Sequence, residues 1–371
     1  MEQRRFYPEL ESLRGLAAFA VLGEHSFLRF QGEGLTRFLD VDGPWSGHPS
    51  WVVDWLAVTI FPGAAAVSLF FVLSGFVLGE TLRLGADSRY QTYAVRRLFR
   101  IMPALWASVL TAAAIWATLV RPIGPLVIAH HFWLSETWLN VPLWSLRVEL
   151  IMSALLPLLL WACERMATTA RLVTLVCLIG LSARDFGVPG IGFAYAFWLG
   201  LLVPSLGRMV IEAFDHRTLR RLLVGAVLLL CLSRTLAIAS GHHVDRLIAA
   251  FPSFFVVAYL SYGSFGRLRR LMLSNAARAL GRISYSFYLF HYPILDLISL
   301  AMIGAFGAAY WQAYPIVGQL VLFALAAPTT FLVASFAYRA IEAPGIAVGK
   351  WWLTRFSVRQ THRLEQSSRA D

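Results

Sequence analysis

The sequence predicts an all-α, polytopic integral membrane protein with about ten transmembrane helices and both termini in the cytoplasm. Three observations carry that expectation. Of the 371 residues, 58% are hydrophobic and only 14% charged, with a mean hydropathy of +0.64. A soluble chain of this length could not hide so much apolar surface. Long uncharged runs make the same point, because a bilayer core of about 30 Å needs roughly 20 apolar residues of helix. There are 25 such residues between Asp54 and Glu80, 20 between Arg100 and Arg121, 22 between Asp185 and Arg208, and 20 between Arg246 and Arg267. A run of 42 between Asp296 and Arg339 holds the end of one span, a turn and a further complete span. The third observation is the placement of charge, taken up below.

In chain order the spans are expected at 12–30, 60–82, 102–120, 145–163, 172–183, 190–207, 222–239, 247–265, 284–303 and 315–338. The fifth and seventh are the weakest, with 12 uncharged residues each between flanking arginines. The first span is expected to be retained, since no small-residue cleavage site follows it. With the N-terminus inside, inner segments carry 25 of the 32 Lys and Arg and outer segments carry 7. This is the positive-inside bias, and it accounts for the net charge of +11 without a nucleic-acid partner. The inner loop 266–283 reads as a basic amphipathic segment lying on the membrane surface. Residues 1–344 form one membrane domain, and 345–371 a cytoplasmic tail expected to be disordered from Arg355 onward. Cys163, Cys177 and Cys231 lie in or beside apolar runs, with no disulfide framework or metal spacing, and read as core residues. Tryptophans 45, 51, 55, 133, 138 and 144 cluster at the first two outer loops, as interfacial anchors or as stacking platforms for sugar rings.

Within this apolar background a few ionisable residues stand out, and an ionisable group in a span commonly marks a function. Arg14 and His25 are 11 positions apart, which brings them within about 20° of one another around a helix and separates them by roughly 16 Å along it. One face therefore presents a cation at the inner mouth and an imidazole deeper in. Two readings remain open: a wet functional cavity, or a snorkelling arginine and a hydrogen-bonded packing histidine. Arg96 and Arg100 are spaced i, i+4 with Arg97 projecting about 100° away. Guanidiniums so placed suit phosphate, though ordinary inner-loop charge explains them equally well. Ser74-Gly75 fits a close helix approach or a bend. Glu149, with Arg147, is expected at the outer end of the fourth span, where Arg147, Arg121 or His25 could partner it. His291 lies inside the ninth span, two residues before Pro293. Arg339 and Glu342 read as a local salt bridge. The pairs His130-His131 and His242-His243 have no carboxylate or cysteine at ligand spacing, so no metal is assigned.

Together these stretches resemble the acyltransferase-3 family of integral-membrane acyltransferases, which acylate carbohydrates of the bacterial envelope. The resemblance runs from Leu10 to about Pro344. Arg14 and His25 match the family's arginine–ten residues–histidine pattern, and "FFVLSGF" stands at 70–76. Arg96, Arg97 and Arg100 match its arginine motif. Trp144, Ser145, Leu146 and Glu149 are similar to its WSLxxE box, and Ser284 through Pro293, with Tyr288 and His291, to its SYxxYLxHxP box. The resemblance implies a bacterial inner-membrane enzyme with no permanently bound cofactor. Acyl-CoA, acetyl-CoA in the first instance, is then the donor substrate, and a hydroxyl of an envelope glycan or glycolipid is the acceptor. It implies that Arg14, Arg96, Arg97 and Arg100 bind the donor and that His25 acts as general base, with Glu149 as a second catalytic candidate. Glu24, Trp144, Ser145, Tyr288 and His291 would support the site or meet the acceptor. One departure is Glu24, where the family usually has an apolar residue. Another is that the chain has no room for the appended extracytoplasmic domain of some relatives. The competing reading is a transporter or flippase for an anionic lipid-linked substrate, against which stands the lack of a repeat or of paired broken helices.

Overall fold

The computed structural model describes residues 7–29, 51–83, 90–182, 190–240, 245–264 and 266–367. Among the described residues the regular structure is entirely helical. It comprises α1 (Pro8–Phe27), α2 (Trp51–Ile60), α3 (Gly63–Arg83), α4 (Tyr90–Leu119), α5 (Pro125–Phe132), α6 (Leu143–Arg165), α7 (Thr168–Ser182), α8 (Ala194–Leu202) and α9 (Arg208–Ala213). There follow α10 (His216–Ser240), α11 (Asp245–Tyr262), α12 (Gly266–Met272), α13 (Asn275–Arg282), α14 (Ser284–Phe306), α15 (Ala308–Ala313), α16 (Pro315–Ala337) and α17 (Ala343–Ser367).

A helix falls on each of the ten expected segments, but fewer meet the physical requirement for a span. Among the described residues six helical stretches are long and apolar enough to cross a membrane: 55–83, 90–119, 143–165, 191–213, 284–306 and 315–355. A seventh is added if α11 and α12, bent by 97° at their junction, are taken together. Two of the others fall short for identifiable reasons. Helix α7 has 15 residues, about 22 Å at 1.5 Å per residue, against a core of about 30 Å. Helix α1 carries Glu9, Glu11, Arg14 and Glu24, too many charges for a lipid-facing helix, and accordingly sits inside, packed on α3, α13, α14 and α16. The tail expected to be disordered instead continues α17 as helix through Ser367.

Where there is no hydrophobic force between helices, close approach of backbones at small residues holds them together. Gly75 on α3 and Gly200 on α8 are such a place. A Cβ on Gly75 would lie 2.2 Å from the Phe197 carbonyl oxygen, and one on Gly200 would lie 2.2 Å from that of Val72. The Ser74-Gly75 step thus serves close packing. Gly345 and Gly349, one turn apart on α17, do the same against α4, where a Cβ would meet the Phe99 carbonyl oxygen at 2.8 Å and its Cβ at 2.7 Å. This contact sets the last helix beside the arginines of α4. The cysteines divide: Cys163 is buried, Cys231 half-buried, and Cys177, expected in the core, is exposed on α7.

Candidate active site

Helix α1 is the axis of the site. Near its start, Arg14 lies within electrostatic range of Arg97, Arg100, Glu149 and Glu342. Glu149 is two turns into α6 and belongs to this group: Arg97 Nη2 donates to it at 2.8 Å and Ser74 Oγ at 3.2 Å. The same Arg97 nitrogen reaches Ser153 Oγ at 2.7 Å, while Arg97 Nε is buried with no acceptor. Glu149, expected with the outer residues, is therefore carried by α6 to the arginines. Glu342 does not make the expected bridge to Arg339. A π-helical turn over Tyr338–Glu342 rotates it inward, and it accepts a hydrogen bond from Ser286 Oγ at 2.7 Å. A widened turn of this kind shifts the side chains that follow it.

The three arginines of α4 part company. Arg97 turns into the bundle, as its 100° offset requires. Arg96 and Arg100 line a cleft of about 680 Å³ between α4 and α17, together with Thr92, Ile346, Lys350, Leu353 and Thr354. Lys350 is the chain's only lysine. Sequence reasoning missed it because it belongs to no motif and lies far from α4 along the chain.

About three turns along α1, His25 meets His291 of α14. His25 Nδ1 is 3.0 Å from His291 Nε2, and the rings stack with centroids 5.3 Å apart. The Tyr292 ring stands edge-on to His25 at 5.9 Å. His291 Nδ1 lies 2.6 Å from the Tyr288 carbonyl oxygen. Two residues on, Pro293 can give no N–H to the Leu289 carbonyl, and the Asn140 side-chain amide donates to that oxygen at 3.0 Å instead. The motif proline thus leaves a carbonyl that a neighbouring loop occupies, which ties α14 down beside the histidine. Tyr288 OH and Ser145 Oγ share a hydrogen bond of 2.7 Å. Trp144 lies under the Arg246 guanidinium, 4.8 Å from its ring centre, and packs on Phe71 and Phe193.

Two ion pairs flank the histidines. Glu24, the residue that departs from the usual pattern, pairs with Arg234 of α10 at 2.5 Å and accepts the Ala64 N–H at 2.8 Å. It thereby fills one of the unpaired donors that a helix N-terminus presents, here at the start of α3. Arg29 forms a buried ion pair with Asp296 and donates to Ser299 Oγ at 3.2 Å, while Trp116 Nε1 donates to Asp296 at 3.2 Å. Arg29 and Asp296 escaped the sequence reading. The signal was present: Arg29 is one turn past His25, and Asp296 follows His291 by five residues.

The aromatic and histidine candidates of the outer loops separate. Trp133 is exposed, and Trp138 packs edge-on to Trp116 and His131. His131 is buried between the Val127 carbonyl and the Leu139 N–H. Trp45 and the pair His242-His243 lie outside the described residues, as does the side chain of Trp51. Among the described residues no group of three or more His, Cys, Asp or Glu is arranged to hold a metal ion.

Comparison with known proteins adds a family match. The family model described as an acyltransferase domain matches residues 7–339. The chain is 23% identical to the peptidoglycan O-acetyltransferase OatA of Listeria monocytogenes, over 92% of its own length and 56% of that protein. It is 23% identical to the O-acetyltransferase PaAT-1 of Phomopsis amygdali, over 92% and 83% of the two chains. To nodulation protein 10 of Rhizobium leguminosarum it is 26% identical, over 84% and 89%. The chain thus spans little more than half the length of the Listeria protein. No solved structure matches it.

Proposed function

Because the chain belongs to the acyltransferase family whose model matches residues 7–339, we propose that it is a bacterial inner-membrane O-acyltransferase. It takes an acyl group, acetyl in the first instance, from cytoplasmic acyl-CoA. It delivers that group to a hydroxyl of an envelope glycan or glycolipid, with His25 as general base. Relatives named as O-acetyltransferases support the acetyl choice. The observation that carries the reading is the layout of α1: an arginine group at one end, and an imidazole about 16 Å further along the same face. On this reading the phosphates rest toward the arginine end and the thioester reaches the imidazole.

On this reading Arg96, Arg100 and Lys350 hold the CoA phosphates in the α4/α17 cleft. Guanidinium forks bond phosphate bidentately without losing charge. Arg14 and the unsatisfied Nε of Arg97 offer further donors along the path inward. Glu149 keeps Arg97 in place, and its contribution to catalysis runs through that pair. At the far end the acceptor hydroxyl gives its proton to His25 as its oxygen attacks the thioester carbonyl carbon. The tetrahedral intermediate collapses with loss of the CoA sulfur, which takes the proton from His25. A positioned base of this kind contributes typically about 10²–10⁴-fold. The lipid bilayer is the first partner, and the 25-to-7 distribution of basic residues counted on ten spans supports a cytoplasmic Arg14 end of α1.

The test is mass spectrometry of envelope glycans from cells producing the wild type or His25→Ala at equal membrane levels, paired with acetyl-CoA turnover by the purified proteins. An acyl increment and turnover present only with the wild type are expected. Glycan acylation unchanged by His25→Ala would remove the base from His25. Acyl-CoA-independent substrate uptake into vesicles, without turnover, would replace the transferase by a transporter.

A further inference from the structure

We propose that His291 is a positioning residue that sets the tautomer of His25, aiming the lone pair of His25 Nε2 at the acceptor. The inference rests on the reading of His25 as the base and deepens it. It begins from the Tyr288 carbonyl, which can only accept. His291 Nδ1 stands 2.6 Å from that oxygen, so Nδ1 carries the hydrogen. In a neutral imidazole the other nitrogen is then an acceptor, and His291 Nε2 presents a lone pair. His25 Nδ1 faces that lone pair at 3.0 Å and must carry its own hydrogen to be satisfied. The remaining nitrogen of His25, Nε2, is left unprotonated, which is the form a general base needs.

The direction of the chain comes from a main-chain oxygen that cannot turn round. Serine hydrolases orient their base in the same sense with a carboxylate on Nδ1. Here a neutral imidazole takes that position, and the carboxylate that the sequence offered for it, Glu149, is joined to Arg97 and Ser74. The surroundings favour a neutral orienting group. Both neighbouring guanidiniums, Arg29 and Arg234, already have carboxylates in Asp296 and Glu24, and the Tyr292 ring closes another side. If His291 gained a second proton, its Nε2 would donate and His25 would be driven to the opposite tautomer, with its hydrogen on Nε2. The pair is therefore a one-way device as long as His291 stays neutral.

The experiment uses full-length protein in nanodiscs with ¹⁵N-labelled histidine, the His25 signals being assigned by their loss in His25→Ala. In the wild type at neutral pH the His25 shifts are expected to report hydrogen on Nδ1. In His291→Leu, which has no acceptor, that preference is expected to be lost. Turnover of acetyl-CoA with acceptor should fall at least roughly 10²-fold in kcat, between the effect of groups that orient metal-bound histidines and the about 10⁴-fold of the carboxylate that orients a serine-hydrolase base, with KM for acetyl-CoA unchanged. His291→Gln, whose side-chain oxygen can accept from His25, should recover most of both signals and controls for folding. A wild-type His25 with its hydrogen on Nε2 would overturn the proposal, as would His291→Leu with wild-type kcat, or His291→Gln no better than His291→Leu in a folded protein. The tautomer measurement does not depend on activity. Loss of the catalytic reading of His25 would thus appear as full turnover in His25→Ala, a separate result.

Discussion

Removing Arg97 should damage this protein in a different way from removing Arg96, Arg100 or Lys350. Arg97 is 14% exposed and its partner Glu149 22%. In Arg97→Ala the carboxylate keeps one hydrogen bond, from the Ser74 hydroxyl at 3.2 Å, and the more distant attraction of Arg14, and Ser153 loses its donor as well. Breaking one side of a buried ion pair costs about 3–5 kcal/mol, and the partial exposure here puts the expectation at the lower end, about 3 kcal/mol. Arg97→Ala combined with Glu149→Gln removes the stranded charge along with its partner, so most of that loss should return. In contrast, Arg96, Arg100 and Lys350 are exposed in the cleft. An exposed ion pair is worth about 0.2–1 kcal/mol, so truncating any one should leave stability within about 0.5 kcal/mol and raise KM for acetyl-CoA about two- to fivefold, less so at high salt. The assay is thermal unfolding of the detergent-solubilised variants by tryptophan fluorescence, with acetyl-CoA kinetics on the same preparations. If the double variant were no more stable than Arg97→Ala, stranding of a buried carboxylate would be the wrong account. Equal thermal loss in Arg100→Ala and Arg97→Ala would refute the division of the arginines.

Lys350 is the chain's only lysine, so an amine-directed reagent read by peptide mass spectrometry reports on the cleft directly. Acetyl-CoA should slow its labelling, and unchanged labelling at saturating donor would take Lys350 out of the donor site. Asp296→Leu should take the carboxylate from the buried Arg29 and cost up to about 3–5 kcal/mol, whereas Arg29→Met with Asp296→Leu should restore much of it; equal melting of the single and double variants would contradict the pairing. Gly200→Ala places a methyl where 2.2 Å separates it from the Val72 carbonyl oxygen, so α3 and α8 must part, and the folded yield should drop sharply. A variant with wild-type yield and melting temperature would show that this contact can open.

The amino-acid sequence by itself determined the all-helical class, the ten helical segments and the layout of α1. These are one-dimensional properties: run length compared with bilayer thickness, and a 3.6-residue period that places Arg14 and His25 on one face whatever lies around them. The same period separated Arg97 from Arg96 and Arg100, although only the packing of α17 through Gly345 and Gly349 made a cleft for the latter two. Where the charged helix α1 lies was decided by tertiary structure, since it tolerates its charges only because other helices enclose it. The partners of the charged groups were decided by tertiary structure alone. His25 and His291 are 266 residues apart, Glu24 and Arg234 are 210 apart, and Arg29 and Asp296 are 267 apart. Several partners for Glu149 were compatible with its composition and spacing, and the tertiary placement of α6 chose Arg97. Periodicity relates residues within one helix; which face meets which neighbour depends on how the helices pack, and no spacing along the chain records that.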